Sequence, residues 1–233
     1  MLFRFKTCVL ALICCLVASP AMAEFETYNS SLILSGGRSK AQNACASPWV
    51  IYALNQGSTC SENHTALRIA YNYQFNPILG LEISYGDLGN ATGAGTSSNY
   101  GTPSTWSMKA IGWAFAGTVK VPMGGGFSLL GKLGSVRAEF SENIHTTDNT
   151  GAIRGGTAST FNGVPIINGA KNALTYGIGL QYELNKQFAI RAQYENFGKY
   201  DMYGAYGLFT SYGIATPPRI ALSVISAGIV LKF

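Results

Sequence analysis

Two histidines, His64 and His145, and five cysteines are the side chains best suited to covalent or metal chemistry. Acyl transfer or hydrolysis needs a histidine held within reach of a nucleophile or a carboxylate. His145 has Thr146, Thr147 and Asp148 beside it, but adjacency within one loop does not preorganise a base and a nucleophile. Gly126-x-x-x-x-Gly131-Lys132 spells most of a phosphate-binding loop. However, Leu133 stands where a serine or threonine would meet Mg²⁺, and the segment reads as strand, not as a loop opening a helix. Cys45, Cys60 and His64 would make three zinc ligands, with no fourth in evident spacing. The expectation is no enzyme, no cofactor and no metal.

The remaining chemistry is that of export. Arg4 and Lys6 precede an apolar stretch from Cys8 to Ala18, and Ala21-Met22-Ala23 offers a small-x-small cleavage site. Residues 1–23 are therefore expected to be a signal peptide and residues 24–233 the mature domain. The leader takes Cys8, Cys14 and Cys15 with it, leaving Cys45 and Cys60. In an oxidising compartment that pair reads as one disulfide. Loss of Arg4 and Lys6 lowers the formal charge from +5 to +3, too little and too scattered for a nucleic-acid partner.

The elements that must carry these residues are written in the composition. Charged residues are only 12% of the chain against 47% hydrophobic, with 28 Gly and 13 Tyr among 233 residues. A soluble domain carries about 25% charged residues. Yet beyond the leader no apolar run reaches the roughly 20 residues of a membrane helix. Period-two alternation fills the gap. Leu67, Ile69, Tyr71, Tyr73 and Phe75 oppose Arg68, Ala70, Asn72 and Gln74. Leu79, Leu81, Ile83 and Tyr85 oppose Gly80, Glu82 and Ser84. Leu174, Tyr176, Ile178, Leu180, Tyr182 and Leu184 face away from Gly177, Gly179, Gln181 and Glu183. Phe188, Ile190, Ala192 and Tyr194 oppose Arg191, Gln193 and Glu195, and Ile225, Ala227, Ile229, Leu231 and Phe233 oppose Ser226, Gly228 and Lys232. Weaker strands are expected over 28–38, 107–121 and 127–140, which makes eight. Tight turns at 76–77, 122–126 and 185–186 alternate with long segments at 39–64, 89–106, 141–173 and 199–218. Short turns at one end and long loops at the other suit an outer-membrane barrel.

Alternation does not say which face points out, since a soluble ligand-binding barrel has the same period. Two features decide. The apolar set carries aromatics near both strand ends: Tyr73, Phe75, Tyr182 and Phe188 by the short turns, Tyr85, Tyr176 and Tyr194 toward the loops. Tyr176 and Tyr182, like Phe188 and Tyr194, lie six residues apart, roughly 20 Å along a strand, as two girdles bounding an apolar band about 25 Å tall require. The opposing set mixes glycine with Arg68, Glu82, Arg191, Glu195 and Lys232, which suits the interior of a narrow barrel better than a ligand cavity.

Several stretches carry a family likeness. Tyr73-Gln74-Phe75-Asn76-Pro77 with Gly80-Leu81-Glu82-Ile83-Ser84-Tyr85 resembles a hairpin of OmpA-like transmembrane β-barrels. So do Gly131-Lys132-Leu133-Gly134, Tyr176-Gly177-Ile178-Gly179-Leu180-Gln181-Tyr182 and Ile190-Arg191-Ala192-Gln193-Tyr194-Glu195. The ending, with Ile229, Leu231 and Phe233, is similar to the terminal strand signal read by the outer-membrane assembly machinery. The resemblance implies an all-β fold, an eight-stranded antiparallel up-and-down transmembrane barrel in the bacterial outer membrane. It implies an interior ion network in place of an open channel, with Glu82 partnered by Arg191 and Lys132 as a further interior cation. A second family pair would fall at Thr118 and Gln181, where both charges are missing. The implied role is structural or surface-facing, without the periplasmic wall-binding domain that many relatives carry. A small channel is the alternative, and a lipid-modifying enzyme a more distant one. The implied partners are outer-membrane lipid and lipopolysaccharide, with the loops as the place to meet an extracellular ligand.

Overall fold

The short turns show most directly how this sequence sets its register. Asn76 Oδ1 accepts the backbone N–H groups of Ile78 at 2.9 Å and Leu79 at 2.7 Å. Asn185 Oδ1 does the same for Gln187 and Phe188, both at 2.8 Å. In each case an asparagine side chain mimics a backbone turn, and the reversal is closed by Phe75 N–H to Leu79 O and Leu184 N–H to Phe188 O, each 2.9 Å. The third short turn uses Gly124, Gly125 and Gly126, all at positive φ between 60° and 88°, where a Cβ would be strained.

The computed structural model describes residues 29–46, 58–96, 102–147, 153–157, 160–161, 164–165, 169–201 and 219–233. The expected leader, residues 1–23, lies outside them. Eight long strands run through the described residues: β1 Ser30–Gln42, β2 Asn63–Gln74, β3 Leu79–Thr96, β4 Pro103–Gly124, β5 Phe127–Thr147, β6 Gly169–Glu183, β7 Phe188–Tyr200 and β8 Ile220–Lys232. Each pairs antiparallel with its neighbour in sequence, and β1 pairs with β8 from Ser31↔Lys232 to Gln42↔Ala221, so the sheet closes. Phe233 N–H to Ser30 O at 2.9 Å finishes the seam. Closure satisfies the strand edges that hydrocarbon could not. The fold is an eight-stranded, up-and-down β-barrel.

The strands run well beyond the expected ones. Segments 89–96, 103–106, 141–147 and 169–173, read from sequence as loop, are strand. The reason is an inversion of polarity along the wall. Toward the short turns the outward positions are apolar and exposed: Ile225 66%, Leu67 66%, Leu174 63%, Leu133 61%. Soluble surfaces do not carry an apolar band of this extent; this one faces lipid. Along β5 the outward set changes at Arg137 and continues as Glu139, Ser141, Asn143 and His145; along β4 it changes above Ile111 to Lys109, Ser107 and Thr105. Above that rim the inside is apolar instead. Trp106, Met108, Phe140, Phe197, Tyr200, Leu88, Ile220, Leu222 and Val224 fill it. The loop-end half of the barrel is thus built like a soluble barrel, and the turn-end half like a membrane one.

Two bulges make that upper core possible. Register shifts between Asp87 and Gly89 on β3 and between Asn196 and Lys199 on β7. The extra residue resets the alternation, so that Leu88 and Ala91, and likewise Phe197 and Tyr200, all turn inward. Gly198, at φ +89° in the second bulge, leaves no room for a Cβ, which would lie 2.6 Å from that of Ala173.

Candidate functional site

The turn-end lumen is crossed by one connected set of charges. The five interior charges expected from the sequence, Arg68, Glu82, Arg191 and Glu195 by alternation and Lys132 by the family resemblance, point into the barrel with side chains 3–6% exposed. Arg191 Nη1 donates to Glu82 Oε2 at 2.9 Å. Lys132 Nζ bridges Glu82 Oε1 at 2.5 Å and Glu195 Oε1 at 3.2 Å. Arg68 pairs with the other oxygen of Glu195 and also donates to Ser84 Oγ. Three cations share two carboxylates, and the missing acceptor is supplied by Gln181, whose Oε1 takes the Nε and Nη2 protons of Arg191 at 3.0 and 2.8 Å. Gln181 is one of the two positions where a family charge is absent. At the other, Thr118 accepts from Asn72 Nδ2 at 3.1 Å.

Below this cluster, Gln181 Nε2 hands on to Glu183 Oε1 at 2.8 Å, and Glu183 is held by Lys120 at 3.1 Å and by Lys232. Lys120 is an interior charge of this tier that no clear alternation marks in the sequence; it sits at the weak, Pro122-interrupted end of β4. At the top, the Arg68 guanidinium lies 4.7 Å from the centroid of the Phe197 ring. Arg68 therefore caps the ionic tier and floors the apolar one, through a cation–π contact with the aromatic face.

Within the apolar tier one carboxyl is fully buried. Glu142, on β5 above the Arg137 rim and so outside the membrane-spanning part of the strand, accepts the indole N–H of Trp106 through Oε1. Its Oε2 has no hydrogen-bond partner among the described residues. Burial lifts its carboxyl from the ordinary 4.5 to about 7, against the opposing pull of the indole donor. Desolvation of the charged form outweighs one hydrogen bond to it. No sequence signal singled out Glu142, because a lone acid among Ser141, Asn143 and Thr146 reads as loop.

The aromatics Tyr73, Phe75, Tyr85, Tyr176, Tyr182, Phe188 and Tyr194 all lie outward and exposed, as do Ile229, Leu231 and Phe233. Tyr85 meets Trp113 and Phe127 meets Tyr182, each pair with ring centroids 4.6 Å apart. Cys45 and Cys60 are joined in a disulfide. It ties a short 3₁₀ turn, Ala44–Ala46, to a three-residue strand, Thr59–Ser61, that pairs with β3. Both cysteines are consequently unavailable to a metal. His64 Nε2 lies 3.3 Å from Thr92 Oγ1, and His145 is exposed on the outer face of β5. Asp148, beside it in sequence, is outside the described residues. Lys132 of the phosphate-loop-like stretch is on a strand, engaged with Glu82 and Glu195. In the turn-end lumen the described cations and carboxylates are locked on one another.

A model of the outer membrane protein beta-barrel domain matches residues 8–229. No curated protein matches the sequence. Among solved structures, the chain is similar to Ail, the attachment invasion locus protein of Yersinia pestis, at 16% identity, covering 87% of this chain and 97% of that one with a TM-score of 0.42. It is similar to Neisserial surface protein A at 13% identity, over 88% and 97%, with a TM-score of 0.44. The outer membrane protein OprG of Pseudomonas aeruginosa is similar at 15% identity, over 88% and 97%, with a TM-score of 0.45.

Proposed function

This chain belongs to the outer membrane protein beta-barrel domain family and resides in the bacterial outer membrane, and on that premise we propose that it is a sealed surface barrel, not a channel or an enzyme. The observation that carries the reading is the lumen, filled in two tiers with different chemistry. Ions from Arg68 down to Lys232 interlock in the turn-end half. Trp106, Phe140, Phe197 and Tyr200 fill the loop-end half. An ion entering from either end would have to displace paired charges or cross apolar packing, and either barrier costs several kcal/mol. With the interior closed, the barrel presents its loops and its lipid-facing wall. Its role is then envelope integrity or recognition of an extracellular ligand at the loops. The partners we assign are outer-membrane lipid and lipopolysaccharide, with the barrel assembly machinery engaging the β8 ending through Ile229, Leu231 and Phe233.

Planar-bilayer recording tests the sealed lumen. The purified chain should give no discrete conductance steps, and an Arg191→Ala variant should remain silent because the apolar tier is intact. Reproducible single-channel steps from the unmodified barrel would overturn the reading in favour of a small channel.

A further inference from the structure

Among the described residues, two of the eight strand junctions are interrupted close to the rim where the wall changes polarity. β2 and β3 are paired from Gln74↔Gly80 up to Arg68↔Gly86, and pairing resumes only at Ser61↔Thr92. β6 and β7 are paired from Glu183↔Ala189 up to Tyr176↔Asn196, although β6 reaches Gly169 and β7 reaches Tyr200. Each gap lies beside one of the two bulges, which turn Leu88 and Phe197 inward. The other six junctions carry paired residues above the rim. In a ring of eight strands, junctions four apart are diametrically opposite. The two gaps therefore divide the loop-end half into two four-stranded leaves, β3–β4–β5–β6 and β7–β8–β1–β2.

The leaves meet as the two sheets of a sandwich do, through side chains. Leu88, Trp106 and Phe140 come from the first leaf, Tyr200, Ile220 and Leu222 from the second. The rings of Phe140 and Tyr200 pack edge to face with centroids 4.9 Å apart. Gly89 comes so close that a Cβ would lie 2.7 Å from Leu222 Cδ2. At the gaps, side chains make the bonds: Asp87 Oδ2 accepts Leu67 N–H at 3.3 Å, Thr175 Oγ1 donates to Asn196 O at 2.9 Å, and Lys171 donates to Asp201 O. One short strand bridges the first gap. Thr59–Ser61 pairs with β3 of the first leaf, while β1 before it and β2 after it belong to the second. The Cys45–Cys60 disulfide ties this strap to the 3₁₀ turn Ala44–Ala46. Beside that turn, Asn43 Nδ2 donates to Arg219 O, just before β8, at 3.1 Å. The strap is thus anchored in one leaf and paired with the other.

We propose that the loop-end half is a two-leaf clasp: its leaves part at the gaps as intact sheets while the turn-end ring stays closed, and the disulfide-anchored strap latches them shut. Local opening follows the lines that the fewest backbone hydrogen bonds cross. Parting the leaves gives up the strap's three residue pairs, a few side-chain bonds and apolar contact. Unfolding either leaf gives up whole ladders. Height matters too, because water near and above the rim satisfies freed amides that hydrocarbon could not. The hinge lies in the ionic tier. Lys132 of β5 joins Glu82 of β3 to Glu195 of β7, and Arg191 of β7 holds Glu82, so ion pairs bind strands of both leaves below the gaps. The lumen therefore stays sealed at the turn end when the leaves part. The connections β3–β4 and β5–β6 belong to the first leaf and β7–β8 to the second, so the latch sets the spacing of the strand ends that carry them.

Thiol labelling in lipid bilayers, read beside hydrogen–deuterium exchange on the same samples, tests it. Ala110, fully buried in the core between the leaves, is replaced as Ala110→Cys, and the folded chain is exposed to a membrane-impermeant maleimide. Removing the latch as Cys45→Ser with Cys60→Ser should speed labelling at least tenfold, while the β4–β5 amides beside Ala110 keep their protection. If that variant does not fold, the disulfide of the folded Ala110→Cys barrel is reduced with a dithiol that is removed before labelling. The label at position 110 is then located by peptide mass, and the same acceleration is expected. Labelling that is unchanged once the latch is gone, or that rises only together with loss of β4–β5 protection, overturns the proposal. The shift in gel mobility on boiling reports the folded barrel in every sample, so loss of the barrel itself is read separately from parting of the leaves.

Discussion

Glu142 makes the loop-end half of the barrel sensitive to pH in a direction opposite to that of an ion-paired carboxylate. Its folded-state carboxyl titrates near 7 against an ordinary 4.5. The folded form therefore holds a proton that the opened form releases, and stability falls as pH rises through that window. The full loss is about 3 kcal/mol, at 1.36 kcal/mol for each unit of pKa difference. It is complete by about pH 8 and absent below about pH 4. Between pH 5 and pH 8 the change is about 2.5 kcal/mol, or roughly seventyfold in the opening equilibrium, if the opened carboxyl titrates at its ordinary value. Hydrogen–deuterium exchange in lipid bilayers, corrected for the intrinsic pH dependence of amide exchange, measures it. Amides of β4 around Trp106 and of β5 around Glu142 should lose protection by about that factor from pH 5 to pH 8. In Glu142→Gln, which preserves an acceptor for the Trp106 indole, the difference should vanish. Trp106 fluorescence gives an independent view of the same contact. The reasoning is refuted if the wild-type barrel and Glu142→Gln respond alike over this range, or if protection in the wild type rises with pH.

Removing Arg191 as Arg191→Ala leaves Glu82 with Lys132 as its remaining ion-pair partner, and urea unfolding in bilayers should show a loss of about 3–5 kcal/mol; an unchanged midpoint would mean the network contributes nothing. Replacing both cysteines, Cys45→Ser with Cys60→Ser, frees a loop of sequence separation 15 and should cost about 3 kcal/mol by loop-closure entropy, measured as the same unfolding difference between oxidised and reduced wild type. Ile178→Arg, at the middle of the apolar band on β6, should destabilise the bilayer-inserted barrel by about 2–4 kcal/mol. Asn143→Arg, outward on β5 above the rim, should shift it by less than about 0.5 kcal/mol. Equal costs at the two positions would contradict the inversion of wall polarity.

The turn-end half was legible in the sequence because lipid enforces a simple rule there. Every outward position from Leu174 to Tyr182 must be greasy, and what opposes them must be small or charged, so Gly177, Gly179 and Gln181 stand out. Arg68, Glu82, Arg191 and Glu195 followed from the same alternation, and Lys132 from the family resemblance. The loop-end half was not legible for three physical reasons. Its apolar residues face in while Thr105, Ser107 and Lys109 face out, so hydrophobic density drops to that of an ordinary loop. Its phase is broken at Leu88 and at Phe197, where a bulge places two near neighbours on the same face. One of its inward positions is Glu142, an acid where a period search expects a hydrophobe. The gap in pairing beside β3, between Arg68↔Gly86 and Ser61↔Thr92, left no local trace either, since pairing with β1 continues undisturbed along the other edge of β2.

The level at which the wall changes polarity also acts as a depth gauge. From Arg137 to the end of β5 at Thr147, a rise of about 3.3 Å per residue and a tilt of about 40° lift the strand roughly 25 Å clear of the hydrocarbon. The described ends of β4 and β5 thus form a packed pedestal, so anything approaching from outside meets that part of the wall at a fixed height above the membrane. Shortening β4 and β5 together by two residues each would keep side chains on their faces and lower that stage one step, leaving the embedded half untouched.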